Sequence, residues 1–410
     1  MPPVTGSKVA LVLGAGAPHS PLMAGALYAL YQQFQRFPGE RRAQIFDIIY
    51  TSGAGALIGL LLAAPKNKKP DEALRSIIDF GISDAIYSLL PVNYKTFQKP
   101  GPFTRPIHQL AQLFKIGEFP IRPLENPQSP LGNWFNSVVG AGQAWRDVGD
   151  RGLTRLYNDL IDLWAAAITP TTLTFWSEGV CDPLPFLEDL VDFEELNRIP
   201  HDFYLNYFVP AEAVVAAEKA RGRKPGAPES KASGTGAAMA LFDKGRIRPE
   251  HVRAAFAYPF IYTPVKIDGK LAFEGANWEP ISFGNLLSRR PRGINIAEVR
   301  TVVLVDIVSN LEPFLLREPR NLLDAYGLSI IWPVVANATR ELRRLEGELQ
   351  GAIHPVHRFA LKKIVFEIDK ESGANILDWS HSNMSRMFKI GVRAGEKFWS
   401  ENKHELVRRS

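Results

Sequence analysis

The sequence predicts an α/β fold built on a largely parallel sheet. Two strand–glycine turn–helix units follow one another near the start, and a third strong strand signal lies far downstream. In the first unit the apolar run Lys8 to Leu13 is followed by Gly14 and Gly16, then by Leu22, Met23, Ala26, Leu27, Leu30 and Phe34 at helical spacing. In the second, Asp47 to Tyr50 enters the Ser52–Gly55 turn and the helix Ala56 to Ala63. The third signal, Val299 to Ile307, is the most convincing strand in the chain. Strands separated by helices in this way are normally joined by crossovers, which makes the sheet parallel.

The 410 residues are 46% hydrophobic and 22% charged, an ordinary globular balance that excludes a disordered or collagen-like chain. That length suits one large α/β domain with insertions, or two small domains. One cysteine, Cys181, excludes an intramolecular disulfide framework and a multi-cysteine metal site. The net charge of +5 is mild. It fits an anionic lipid surface better than nucleic acid, and a solvated basic surface best of all. No n-region, h-region and cleavage-site order opens the chain, so the reading is cytoplasmic residence. Ile48 to Ala64 is nearly uncharged but marginal in length for a bilayer; its β-branched start and its glycines predict strand, turn and buried helix instead.

The remaining elements follow in order. Pro91 to Pro130, rich in proline and aromatics, reads as an irregular insertion or lid. Leu153 to Ile168 reads as an amphipathic helix, and so does the acidic stretch Phe186 to Leu196. Phe203 to Val209 is strand-like, and 219–236 is a flexible loop of Gly, Pro, Ser and Lys. Arg248 to Ala257 is a short helix, and Pro264 to Phe273 a hairpin turning at Asp268-Gly269. Trp332 to Leu349 and Asn383 to Trp399 are long amphipathic helices.

Three loci can carry chemistry. Gly14-Ala15-Gly16-Ala17, between a strand and a helix, lets backbone N–H groups approach a phosphate or an oxyanion. It lacks the third glycine of a dinucleotide fingerprint and the Gly-Lys-Ser/Thr of a P-loop. Thr51-Ser52-Gly53-Ala54-Gly55 places a hydroxyl in a sharp strand-to-helix turn, as a nucleophile elbow does, although its serine stands one residue early. Glu274-Gly275-Ala276 sets a carboxylate before small residues in a loop, where it can act as a general base within reach of a nucleophile. Each locus alone is also compatible with a plain turn.

In this order, the three loci resemble the patatin-like phospholipase family. Ala10 to Leu13 with Ala24 to Leu27, Asp47 to Ile49 with Ala54 to Leu57, and Val252 to Pro259 with Pro264 to Gly269 frame them as that family does. The resemblance implies a three-layer α/β/α fold with a central, mostly parallel sheet over 1–410, an insertion or lid at 85–180, and C-terminal helices (325–410) packed on the core. It also implies a Ser–Asp dyad without histidine. All three motifs depart from the pattern. Gly53 holds the nucleophile position with Ser52 just before it, Glu274 replaces the dyad aspartate with Gly275 and Ala276 behind it, and His19 replaces the arginine of the oxyanion motif.

Two expectations follow. In the leading one the chain hydrolyses or transfers an acyl group from a lipid ester. Ser52 is the nucleophile, Glu274 the base, His19 an alternative base, and the N–H groups of Ala15, Gly16 and Ala17 form the oxyanion hole. Gly53 and Gly55 then supply the freedom to turn Ser52 toward the cleft. In the rival, hydrolysis is lost and the cleft binds lipid or scaffolds a partner. Neither needs a metal or organic cofactor, and neither involves nucleic acid; both allow transient contact with a membrane surface. The oligomeric state is left open.

Other candidates read more plainly. His354 and His357 flank a proline that breaks the helical spacing a metal pair needs. His381 suits a helix start beside Ser380 and Ser382. Lys66 to Lys69 and Arg289 to Arg292 are basic clusters, and Phe97, Phe103, Phe114 and Phe119 are candidates for an interfacial surface.

Overall fold

A computed structural model describes residues 8–16, 19–36, 46–115, 151–199, 202–210, 238–242, 247–277, 279–281, 298–310, 318–319, 322–349, 359–368 and 378–407. The loop 219–236, His354, His357, Arg289 to Arg292, Phe119 and Ala17 lie outside them.

Strand β1 (Lys8–Leu13) leads into helix α1 (Ser20–Gln35), and β2 (Ile48–Thr51) into α2 (Ala54–Ala63). Helices α3 (Pro70–Ser76), α4 (Asp84–Leu89), α5 (Thr104–Gln112) and α6 (Arg151–Ile168) precede the short strand β3 (Gly179–Cys181). Two single turns follow, α7 (Leu187–Leu190) and α8 (Phe193–Leu196). The sequence reads this acidic stretch as one helix. Asp192 divides it, because its carboxylate accepts hydrogen bonds from the N–H groups of Glu194 and Glu195 and so starts a new helix. Beyond lie β4 (Asp202–Val209), β5 (Ala238–Phe242), α9 (Pro249–Phe256), β6 (Phe260–Tyr262), β7 (Val265–Ile267) and β8 (Lys270–Glu274). The chain continues through β9 (Val299–Val305), α10 (Ile307–Asn310), α11 (Leu322–Leu349), β10 (Ala360–Lys363) and α12 (His381–Val407). Helix α11 begins ten residues before the Trp332 expected from the sequence and runs through Pro333.

The main sheet has the order β10-β9-β1-β2-β4-β8-β7, with β5 also on β4. From β10 to β4 every pairing is parallel, and β5, β7 and β8 add antiparallel pairs. Strands β1 and β2 are buried almost end to end, as expected for a sheet covered on both faces. On one face α1 packs along α12, with Phe34 edge-on to Trp399 at 4.8 Å and Tyr28 tilted on Phe388 at 5.6 Å. Asp268 and Gly269, both at positive φ, make the tight β7–β8 turn read from the sequence. The parallel core places the C-terminal ends of β1 and β2 side by side, Leu13 against Thr51, where open α/β sheets carry their sites.

Candidate functional site

Gly53 forms the turn between β2 and α2, at φ 51° and ψ −128°. An L-residue rarely adopts that backbone, and a nucleophile elbow imposes it on its central residue. Gly55, two residues on, lets the helix approach β1, since a Cβ there would lie 2.5 Å from the Leu13 carbonyl oxygen. The elbow is therefore built, and its central position carries no side chain.

That vacated space is filled. A Cβ on Gly53 would lie 2.3 Å from Oε1 of Glu274, and 3.3 Å from the Cβ atoms of both Ala15 and Ala276. Glu274 ends β8, which pairs with β4 through Tyr207 and Phe208. The extra methylene of glutamate over aspartate carries the carboxyl into the seat of the missing nucleophile. Burial there pushes its pKa from 4.5 up to about 8, so it is largely protonated at neutral pH. Burial chiefly, with a smaller push from the Glu274 carboxylate, raises the pKa values of Tyr258 and Tyr262.

Ser52 does not face this cleft. It is fully buried, and its Oγ donates to the Glu279 carbonyl at 3.0 Å, while its N–H donates to the Leu13 carbonyl at 3.0 Å. This speaks against the shifted-elbow reading of Ser52: its hydroxyl is buried and occupied as a donor. His19 Nε2 makes no hydrogen bond to it, since the Ser52 hydroxyl donates to Glu279. The ring is 2% exposed, and burial alone lowers its pKa to about 4. Its Nε2 has no hydrogen-bond partner among the described residues.

The oxyanion loop is also altered. The N–H groups of Gly14 and Ala15 donate to Val305 and Pro280 carbonyls at 3.0 Å each, so Ala15 cannot serve an oxyanion. Gly16, at φ 143°, holds the tight turn there, and Ala17 is outside the described residues.

Sequence reasoning missed the clamp on 277–281. The Glu279 carbonyl accepts from Ser52 and, at 3.1 Å, from Asn206 Nδ2 on β4. Helix α11 adds Asn337, whose Nδ2 donates to the Asn277 carbonyl at 3.3 Å, and Glu341, which accepts from Ile281 N–H at 2.9 Å. One signal was available: Asn206 is a fully buried polar residue in an apolar strand, which demands a built-in partner. Ser52 is thus a structural donor. Ser52→Ala is expected to cost about 1 kcal/mol in urea unfolding, because Asn206 still satisfies the carbonyl; no change in unfolding midpoint would remove the clamp.

Among the described residues no cluster of His, Cys, Asp and Glu could hold a metal ion. Cys181 is buried with its thiol pKa pushed up to about 12 by burial, which makes it inert.

A glycine turn at the end of a parallel strand, a small-residue loop beside it and a carboxylate opposite form an arrangement compatible with an α/β acyl hydrolase. Residues 11–282, well over half of the chain, match the patatin-like phospholipase family. The chain belongs to that family, whose members act on lipid esters, and it has the fold expected from its sequence. The solved structure of VipD from Legionella pneumophila resembles it with a TM-score of 0.34 and 10% identity, over 96% of this chain and 67% of that one. No curated protein matches the chain.

Proposed function

We propose that this protein is a patatin-like fold that binds an acyl lipid in the family cleft without forming an acyl-serine. One observation carries the reading: Glu274 Oε1 occupies the space beside Gly53 that a nucleophile side chain would need. A covalent pathway requires an attacking atom at that seat, and losing it costs many powers of ten in rate. The nearby hydroxyl of Ser52 is buried and already donating.

The replacement has its own chemistry. A protonated carboxyl can donate a hydrogen bond to an ester or acid carbonyl, where an ionised one only accepts. Glu274 in this state donates to the head of an acyl ligand at the elbow.

Calorimetric titration with a short-chain fatty acid and with its methyl ester tests the reading. Wild type and Ser52→Ala are expected to bind both alike, with affinity reduced at least about tenfold in Glu274→Ala. Equal affinity in Glu274→Ala would overturn the role of the carboxyl, and release of alcohol from the ester by wild type would overturn the non-hydrolytic reading.

A further inference from the structure

Helix α6 buries polar as well as apolar side chains. Asn158, Asp159 and Asp162 are each under 5% exposed, beside buried Ala165 and the half-buried Leu156, Leu163 and Ala166 that pack against Ile82, Ile86 and Tyr94. Asp159 is paired with Lys95 at 2.5 Å and accepts from Ser83 N–H at 2.6 Å, and Asp162 is paired with Lys115 at 2.8 Å. Its outward positions are apolar. Leu153, Tyr157, Leu160, Trp164 and Ile168 are 66%, 41%, 48%, 47% and 46% exposed, and their spacing of four, three, four and four residues draws one stripe along the helix. The stripe is continued in chain order by Phe175 and Trp176, 92% and 85% exposed and packed edge to face at 5.2 Å. The segment between is fixed by the Thr172 N–H donating to the Pro100 carbonyl.

Buried ion pairs are a poor source of stability, and exposed leucines and tryptophans are no better. An arrangement that accepts both costs at once has a use for its outer face. Single exposed apolar residues need no explanation, but five in register with an aromatic pair beyond them do.

We infer that the outer face of α6, with Phe175 and Trp176, docks on the surface of a phospholipid bilayer. Charge selects this occupant. Among the described side chains of α6 the exposed ones are Gly152, Leu153, Tyr157, Leu160, Trp164, Ala167 and Ile168, and none of these carries a charge. The carboxylates of the helix point inward onto lysines, so an anionic lipid surface meets no like charge along α6; Glu178 is exposed two residues beyond Trp176, and the chain as a whole carries +5. Composition agrees, since Tyr157, Trp164 and Trp176 are the residue types that settle at headgroup depth, with leucine and isoleucine below them. The helix lies along the surface and does not cross it: no described helix is long and apolar enough to span a membrane. Phe97 packs on Tyr262 and Trp379.

Vesicle co-sedimentation of the full chain, with phosphatidylcholine and phosphatidylglycerol at roughly three to one, tests this. Wild type is expected to sediment with the vesicles, and Leu160→Glu with Trp164→Glu to lose at least about tenfold in partitioning. Val365→Glu, on an exposed apolar residue elsewhere, is expected to bind as wild type does. Tyr157→Ser with Trp164→Ser serves if the glutamate pair unfolds. Lipids brominated in the acyl chain should quench tryptophan emission in wild type and much less in Trp164→Phe with Trp176→Phe. Wild type left in the supernatant, equal binding by both stripe variants, or a dimer in solution that those variants dissociate would overturn the inference, the last by assigning the face to a second copy. The inference concerns a surface and not the cleft, so Glu274→Ala should keep vesicle binding whether or not the cleft takes an acyl ligand.

Discussion

Gly53→Ser is expected to destabilise the protein without creating a reactive serine, and Gly53→Ser combined with Glu274→Asp to recover both stability and reactivity. The argument is steric first. A Cβ at Gly53 would lie 2.3 Å from Glu274 Oε1, far inside contact distance, and the position sits at positive φ. A side chain there meets strain and overlap together, a cost of roughly 2–4 kcal/mol. Aspartate shortens the carboxylate by one methylene and withdraws it from the elbow. The two substitutions should therefore couple by roughly 1–3 kcal/mol in a double-mutant cycle read by urea unfolding. The chemistry follows the sterics, since a serine at the elbow facing an aspartate restores nucleophile and base together. Because the Ala15 N–H remains bonded to the Pro280 carbonyl, turnover should stay low, and reaction with a fluorophosphonate is the suitable readout. A Gly53→Ser single variant as stable as wild type would show that Glu274 does not occupy the seat.

The second large effect is on stability against pH. Burial raises the pKa of Glu274 and of Glu341 from 4.5 to about 8 each, with Glu279 and Asp306 adding to the rise at Glu341. Between these values the folded state holds more protons than the unfolded state, so stability falls as pH rises. The contribution is fully present below about pH 4.5 and is lost as pH passes through about 8. The loss is on the order of a few kcal/mol per group. Glu274→Gln is expected to unfold near the wild-type midpoint at acid pH and well above it in mild alkali. Glu341→Gln should show the same trend. Unfolding curves that stay parallel for wild type and Glu274→Gln across this range would mean that the carboxyl is solvated.

Much of the fold was legible because local pattern and tertiary burial agreed. The Lys8–Leu13 strand, the Asp268-Gly269 turn and the Val299–Val305 strand each follow from residues within a few positions of one another. What escaped depended on partners distant in sequence. The apolar face of α6 was visible as helical spacing, but spacing does not say which face turns inward. Lys95 and Lys115 decided that, by drawing Asp159 and Asp162 into the interior. The site shows the same division. Its elbow and acidic loop were recognisable from their small residues, and the choice between a shifted and an emptied nucleophile position was not. The Glu279 carbonyl, 227 residues from Ser52, takes that hydroxyl as its donor. Glutamate in place of aspartate looked from the sequence like a tolerated lengthening. In three dimensions that length closes the seat.

The most direct measurement is intact-mass spectrometry of the wild-type protein after prolonged exposure to a fluorophosphonate, with peptide mapping of any adduct. An unmodified mass is predicted, under conditions that label Gly53→Ser with Glu274→Asp. A stoichiometric adduct on Ser52, abolished in Ser52→Ala, would show a working nucleophile at the elbow and contradict the reading of Glu274 as its occupant.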